Sequence, residues 1–399
     1  MSEFQASNFK KENGGTPDLL GKTELTSPYF FVPPSGDTKS RPVNCAPGTL
    51  RFNTDIGTLE VFRGNTIGWE QIQRVDNQYL GNTVFETTTG STAGTGTRGL
   101  VMGGFGGGDP TAEEIQFITI STLGNAQDFG ELTQGSQSGH SGLGNRITAF
   151  YAGGSQVPAG LDVIQKITVA STGNAVDYGD LTAGVRAGGA GLSNSTRALV
   201  AGGNLGSPAT NIIEYFSMMQ SGNSIDFGDL SGAGEGLEGS VNSNTRGLIY
   251  GVGSYGGNTI EFVTIATTGN TTDFGDLMQG VGDAAGGGNS TRGIIGGGLG
   301  PSPVNQTNII QFVTIATLGN SQDFGDLTQN RNGFGAMSSP TRTVFAGGSI
   351  FPSHFNIIDF IEITTGGNAQ DFGDLSNTGL TNGGVFHSNA VSNGHGGLL

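Results

Sequence analysis

The hydrophobic residues of this chain lie in short runs that are separated by glycines and polar turns. A typical stretch reads Asn308-Ile-Ile-Gln-Phe-Val-Thr-Ile-Ala316, then a Gly-Asn pair, then Asp323-Phe-Gly-Asp-Leu327. The 3.6-residue spacing of an amphipathic helix is absent, and β-branched and aromatic residues dominate the runs. The pattern therefore predicts an all-β protein of many short strands.

The runs belong to a repeat of about fifty residues. An arginine opens a short apolar run in each copy, and successive arginines are 48, 51, 49, 46 and 50 residues apart. A second interval, from the third strand to the aspartate of Asp-Phe-Gly (for example Phe312 to Asp323), is always 11 residues and predicts a hairpin turned at Gly-Asn, where both residues tolerate positive φ. The repeats begin near Arg98, Arg146, Arg197, Arg246, Arg292 and Arg342.

Each repeat has room for four strands, which is the blade length of a β-propeller. The first strand is rich in glycine and alanine, as in 188–193, which suits a crowded centre. The blades resemble kelch repeats, because a Gly-Gly doublet closes the second strand; the fourth repeat departs from this with Gly251-Val252-Gly253. The doublets are Gly103-Gly104, Gly153-Gly154, Gly202-Gly203, Gly297-Gly298 and Gly347-Gly348.

The two ends of the chain suggest how a ring would close. Residues 383–391 read as a first strand without successors, and residues 49–73 read as three strands without a first strand. We therefore expect seven blades within 49–399, the seventh formed jointly by 49–73 and 383–391. The alternative is six blades, with 49–73 as a separate β module. Residues 1–48 hold 6 of the 13 prolines and predict an extended arm that docks through Tyr29, Phe30 and Phe31.

Composition narrows the function. Glycine accounts for 74 of 399 residues and the net charge is −16, carried almost entirely by residues 77–399, which disfavours nucleic acid as a partner. The single Cys45 excludes a disulfide framework, and the four histidines show no metal-site spacing. We expect no cofactor, no signal peptide and no membrane insertion.

The repeated acidic pair is the main candidate for chemistry. Asp-Phe-Gly matches a kinase tripeptide only by letter, since the rest of that motif set is missing. A structural role for Asp323 and Asp326 in turns is favoured, while calcium binding by these residues and their repeat equivalents is a second interpretation. A sialidase needs converging arginines, and galactose oxidase-like copper chemistry needs histidines and a Tyr–Cys crosslink. We expect that the protein is not an enzyme; a propeller glycosidase or oxidase remains an alternative.

A second resemblance bears on where the protein functions. The segment from Pro47 to Ile72, with Thr26-Ser-Pro-Tyr-Phe-Phe-Val-Pro-Pro-Ser-Gly36 before it, is similar to virion structural proteins of tailed bacteriophages, especially cyanophages. The resemblance implies a tail fibre, baseplate or capsid-surface component of the virion, assembled in the host cytoplasm, oligomeric within the particle, and in contact with other virion proteins and with a host glycan or receptor. A non-virion lectin is the alternative.

The loops that follow the Gly-Gly doublets vary in length and content, as recognition loops do. We expect this face to bind the partner. The candidate contact residues are Phe105, Asp109, Phe351, His354 and Phe355.

Overall fold

The computed structural model describes residues 34–42, 45–55, 58–64, 68–71, 97–105, 113–136, 138, 143–156, 159–204, 209–234, 236–237, 239–253, 255–301, 305–376 and 384–396. They belong to two compact units, 1–77 and 78–399. The fold is all-β, as predicted, and the one helical element among these residues is a 3-10 turn at Thr38–Ser40. Tyr29, Phe30, Phe31 and Asp109 lie outside the described residues.

The first unit contains a small sheet, the N-sheet. Its strands, in sheet order, are Ser35–Gly36, Leu50–Asn53, Thr58–Phe62 and Trp69–Gln71; the first pair is parallel and the others are antiparallel. The buried Glu60 accepts from Arg41 and Asn53, and the hydrogen bond from Arg41 lowers the pKa of its carboxyl. Residues 35–36, predicted to be part of an extended arm, are thus a strand of this sheet.

The second unit contains six antiparallel sheets, named sheets 1 to 6 in chain order, each with the predicted second, third and fourth strands. In sheets 3 to 6 a short first strand precedes them; in sheet 2 the bridge between Gly144 and Ala149 stands in its place. Repeated four-stranded antiparallel sheets are consistent with a β-propeller type of fold. The strands are, for sheet 1, Arg98–Met102, Glu114–Thr119 and Gln127–Glu131; for sheet 2, Thr148–Gln156, Ala159–Thr168 and Val176–Asp180; for sheet 3, Ala190–Ser193, Arg197–Ala201, Ile212–Ser217 and Ile225–Asp229; for sheet 4, Ser240–Asn242, Arg246–Tyr250, Thr259–Thr264 and Thr272–Asp276; for sheet 5, Ala285–Gly288, Arg292–Gly296, Ile309–Thr314 and Gln322–Asp326; for sheet 6, Gly335–Ser338, Arg342–Ala346, Ile357–Glu362 and Gln370–Asp374, with a small hairpin of Ser349–Ile350 and Ser353–His354 between its second and third strands.

The first strand of sheet 1 comes from the C-terminus of the chain. Asn389–Ser392 pairs antiparallel with Arg98–Met102, with Ala390 opposite Val101. The expected composite of 49–73 with 383–391 is therefore wrong, because residues 50–71 pair within the N-sheet while the last strand completes sheet 1. The strand also begins six residues later than predicted.

The C-terminal strand pairs in this register because it supplies half of the turn between the first and second strands of sheet 1. In sheet 3, Asn194 Oδ1 accepts from the backbone N–H of Arg197 at 2.9 Å and so fixes the turn between the first two strands. In sheet 1 the same bond joins distant residues: Asn393 Oδ1 accepts from the N–H of Arg98 at 2.8 Å. Ser392-Asn393 is thus the equivalent of Ser193-Asn194, and only this register supplies the missing half of the turn.

The hydrophobic core lies between neighbouring sheets. Ile310 and Phe324 of sheet 5, for example, pack in one buried cluster with Phe345 and Ile361 of sheet 6. The first strands carry small side chains, as predicted, because they pack closely on one another: a Cβ added to Gly335 would press against Ala390 of the neighbouring first strand. Burial between sheets makes each sheet dependent on its neighbours.

Removing the last strand tests this arrangement. Truncation after residue 388 leaves the Arg98 strand as an open edge and removes Val391 from a buried cluster, so we expect the melting temperature to fall by more than about 10 °C. Thermal unfolding followed by circular dichroism measures it, with deletion of residues 397–399 alone as the control. An unchanged melting temperature in the longer truncation would contradict the role of this strand.

Candidate functional site

The Gly-Asn turns bind the fourth strand of the preceding sheet. Asn368 of sheet 6 accepts through Oδ1 from the backbone N–H of Asp326 of sheet 5, and the N–H of Gly367 donates to the carbonyl of Phe324. The same pair of bonds recurs at all six turns, with asparagine bonds of 3.0–3.2 Å and glycine bonds of 2.8–3.0 Å. The sixth case joins sheet 1 to sheet 6, through Asn125 and Asp374.

This arrangement corrects the interpretation of the turn. The glycines of the six Gly-Asn turns have φ between 121° and 155°, whereas Asp283 and His387 are the non-glycine residues with positive φ among the described residues. The asparagine is therefore chosen for the reach of its amide and not for a left-handed backbone. The glycine of Asp-Phe-Gly has its own reason: a Cβ on Gly325 would lie 2.5 Å from the carbonyl of Gly367.

The repeat arginines form a second link. In five of the six repeats the arginine Nη1 donates to a carbonyl just after the third strand of the following sheet, at 2.6–3.0 Å. The guanidinium groups of these five arginines lie 4.2–4.6 Å from an aromatic ring of their own sheet. Arg342 of sheet 6 bonds Ile120 of sheet 1. The pairs are Arg98 with Val169, Arg197 with Ile265, Arg246 with Ile315, Arg292 with Ile363, and Arg342 with Ile120.

A third link was not predicted from the sequence. One polar residue in each third strand is buried and accepts from a backbone N–H just after the fourth strand of the preceding sheet, at 2.6–3.2 Å. In five of the six repeats the sequence signal was a polar residue directly before the central aromatic residue of an otherwise apolar run; in sheet 2 the polar residue precedes Lys166 instead. The six residues are Gln116, Gln165, Glu214, Glu261, Gln311 and Asp359.

Two of the buried acids have buried arginine partners. Glu214 pairs with Arg186, and Asp359 pairs with Arg331, whose Nη2 lies 2.5 Å from Asp359 Oδ1. Burial raises the pKa of Glu214, but the Thr182 hydroxyl and Arg186 outweigh burial, so the pKa lies below its usual value. Burial of the Glu214–Arg186 pair is tolerated because both groups make further hydrogen bonds. Arg186 Nη1 donates to the carbonyls of Gly202 and Ile212, and Glu214 also accepts from the hydroxyl of Ser224.

The acidic pair predicted as a turn or calcium element lies on the fourth strand. Asp323 is exposed and stands opposite Gln311, and the backbone N–H of Asp326 donates to Asn368. Within the described ranges, no group of three or more His, Cys, Asp and Glu residues is placed to hold a metal ion.

The loops after the glycine doublets bring three predicted residues into one region. Phe105 is exposed and packs edge-on against His354, with ring centroids 5.7 Å apart. Phe351 is 86% exposed at the turn of the sheet 6 hairpin. Phe355 differs, because its N–H donates to Gly348 and its carbonyl accepts from Val385, so its backbone is part of the framework.

Sequence reasoning missed several residues of this region. Phe386 stacks on His354 at 5.8 Å and forms a bridge with Phe105. Asp283 is buried, accepts from the hydroxyl of Tyr255, and has φ of 49°. Asp283 and His387 stand where other repeats have glycine (Gly188 and Gly333), and this departure was the available signal.

His395 lies close to the first strands of several sheets. His395 Nε2 lies 2.9 Å from the carbonyl of Gly144, beside a cavity of about 30 Å³ that the first strands of sheets 1, 4, 5 and 6 line. Burial lowers the pKa of His395 to about 4. The glycines on either side of it fit against other sheets, since a Cβ on Gly396 would press on Asn289.

The link between sheets 5 and 6 can be tested with a built-in control. We expect Arg331→Met to lower the free energy of unfolding by about 3–5 kcal/mol, because Asp359 is left buried and unpaired. The double variant Arg331→Met with Asp359→Gln recreates the neutral arrangement of Gln311 and should recover most of that loss. Urea denaturation measures the free energy of unfolding of both variants. A double variant no more stable than Arg331→Met alone would contradict the idea that a neutral glutamine can replace the ion pair.

The depressed pKa of His395 predicts a pH dependence. Its imidazole is neutral in the folded protein down to about pH 4 and becomes charged in the unfolded chain below about pH 6.5, so its contribution is complete above pH 6.5 and is lost as the pH falls towards 4. We expect His395→Gln to reduce the loss of stability between pH 7 and 4 by about 1–3 kcal/mol. Parallel denaturation curves at several pH values measure the difference, and identical slopes would contradict it.

No helix in the described part of the chain is long and apolar enough to span a bilayer. No protein-family model matches the chain, and no curated protein matches it.

Proposed function

We propose that this chain is a non-enzymatic binding protein built on a six-bladed β-propeller, and that it is a structural or attachment component of a tailed-phage particle. Residues 97–396 would form the ring. The C-terminal strand would close it, and the loops after the glycine doublets would form the binding face.

The order of the inter-sheet links supports a closed ring of six. The turn of each sheet bonds the fourth strand of the sheet before it, and the series returns to its start through Asn125 of sheet 1 and Asp374 of sheet 6. A second, independent hydrogen bond, from Arg342 to the carbonyl of Ile120, also joins sheet 6 to sheet 1. A linear array would leave the first turn and the last arginine without these partners.

The use of the repeated polar residues supports binding rather than catalysis. The arginines, which a sialidase would aim at one carboxylate, each donate to a carbonyl of a different sheet. The side chains that depart from the repeat lie instead at the loop end, where Phe105, Phe351 and His354 form a partly exposed surface. The single observation that carries the proposal is this aromatic surface on an otherwise repetitive scaffold.

The assignment to a virion rests on the resemblance of residues 47–72 to tailed-phage virion proteins. Part of that segment, from Leu50 to Gln71, folds as the N-sheet, so it is a structured module next in sequence to the blades. The partners proposed are other virion proteins and a host-surface receptor or glycan, with several copies in each particle.

Two measurements test the proposal. Mass spectrometry of purified particles from the source should detect the chain at structural abundance, and its absence from them would refute the virion assignment. Replacing residues 350–355 with a Gly-Ser linker should weaken adsorption of the purified chain to host cells or to particles lacking it by at least about tenfold, because Phe351 and His354 are lost.

The matched control is Leu318→Ser. Leu318 is 62% exposed at the turn between the third and fourth strands of sheet 5, so it tests exposed apolar area away from the loop face. Equal binding by the hairpin variant and the unaltered chain would exclude this surface.

A further inference from the structure

The loop connections of sheets 5, 6 and 1 place polar and aromatic side chains side by side. Asn332 bridges Ser349, and Ser349 stands opposite His354 in the small hairpin. Residues directly opposite one another in antiparallel strands point to the same face. Asn332, Ser349 and His354 therefore share one face of this small sheet.

Aromatic rings adjoin that face. Phe105 and Phe386 exchange both backbone hydrogen bonds across the join between sheets 1 and 6, and His354 contacts both rings. Phe105 is 40% exposed, so part of this aromatic surface is open to solvent. The backbone is packed tightly below it, because a Cβ on Gly333 would overlap the ring of Phe386.

Two polar atoms in this region lack a hydrogen-bond partner among the described residues. They are Asn332 Oδ1 and His354 Nδ1, and both atoms are buried. Asn332 as a whole is only 5% exposed, and its Nδ2 points to Asp283 Oδ2 at 3.3 Å, which fixes the orientation of its amide. A buried acceptor left without a donor costs about 1–3 kcal/mol, so such atoms call for a water molecule or a ligand group.

Asp283 extends the polar side of the region. Its left-handed backbone is held by the bond from the N–H of Gly333 to its carbonyl, and its carboxylate accepts from Tyr255 and Asn332. Strained backbone at a non-glycine residue is typical of ligand-binding positions. Tyr255 is 44% exposed, so this hydrogen-bonded group reaches the surface.

We infer that this region, bounded by Tyr255, Asp283, Asn332, His354, Phe105 and Phe386, binds a neutral saccharide. The inference rests on the proposed function only in taking the loop end as the binding face. Sugar hydroxyls both donate and accept, which suits Asn332 Oδ1 and His354 Nδ1, and the C–H face of a sugar ring packs on exposed aromatic rings such as Phe105. The net charge of −16 disfavours sialylated or phosphorylated glycans.

The test uses the full chain on a printed array of oligosaccharides that end in glucose, galactose, mannose or N-acetylhexosamine, with sialylated and phosphorylated glycans beside them. Binding to at least one neutral glycan is expected, followed by titration calorimetry with that glycan. Phe105→Ala should weaken binding by about tenfold or more. Tyr255→Phe removes only the hydroxyl that donates a hydrogen bond to Asp283, and it should weaken binding severalfold. Leu318→Ala, another exposed apolar residue, should leave the affinity unchanged.

Each variant is first shown to melt cooperatively, so that loss of binding is not loss of fold. Binding to no glycan, binding only to acidic glycans, or equal affinity of Phe105→Ala and the unaltered chain would overturn the saccharide site. If no glycan binds while the hairpin replacement still abolishes contact with particles, the loop face binds protein, and only the saccharide inference fails. If a neutral glycan binds as expected but the chain is missing from purified particles, the virion assignment fails and the saccharide site stands.

Discussion

The bond between the turn of one sheet and the outer edge of its neighbour is the interaction on which the second unit depends. A fourth strand is an edge strand, with carbonyls and N–H groups that would otherwise face water or another molecule. Here Gly367 and Ala369 donate to the edge of sheet 5, and Asn368 accepts from it. Each of these hydrogen bonds contributes only about 1 kcal/mol. Because they recur at every turn, together they satisfy the edge strands and fix the spacing between sheets.

The same constraint explains the composition of the repeat. The aromatic residue and the glycine of Asp-Phe-Gly recur for this reason: the bulge at Phe324 turns its ring into the core, and Gly325 leaves room for the neighbouring turn. Sheet 2 has the same bulge with Tyr178 as the aromatic residue. The buried acceptor of the third strand tolerates exchange between glutamine and acid, provided that an acid finds compensation. Asp359 and Glu214 have arginines, whereas Glu261 accepts from the hydroxyls of Ser231 and Thr271. Conserving the hydrogen-bond role matters more than conserving the charge.

Much of this could be predicted from the sequence, and the errors have a common cause. The second, third and fourth strands of each sheet could be predicted from the repeat pattern, because they are consecutive in the sequence and pair with one another. The C-terminal strand was placed four residues out of register, since Ser388-Asn389 and Ser392-Asn393 look alike and only the bond from Arg98 to Asn393 distinguishes them. The role of the Gly-Asn turn was misjudged for the same reason: the partner of Asn368 lies in another sheet, and a pattern within one repeat does not contain it.

The candidate site was harder to predict because it consists of exceptions to the repeat. Phe105, Phe351 and His354 were accessible to sequence reasoning as unusual loop residues, and the first and third do meet. Asp283, Asn332 and Phe386 come from three different connections between sheets, so nothing local relates them. The repeat places glycine where a left-handed backbone is needed, as at Gly188 and Gly333. Asp283 stands in that position with a less favourable backbone, and its carboxylate bonds Tyr255 and Asn332, which the glycine of the other repeats cannot do. The regular arginines, turn asparagines and buried third-strand acceptors bond neighbouring sheets, so the binding face proposed above is made of departures from the repeat, and these gather at one end of adjoining sheets.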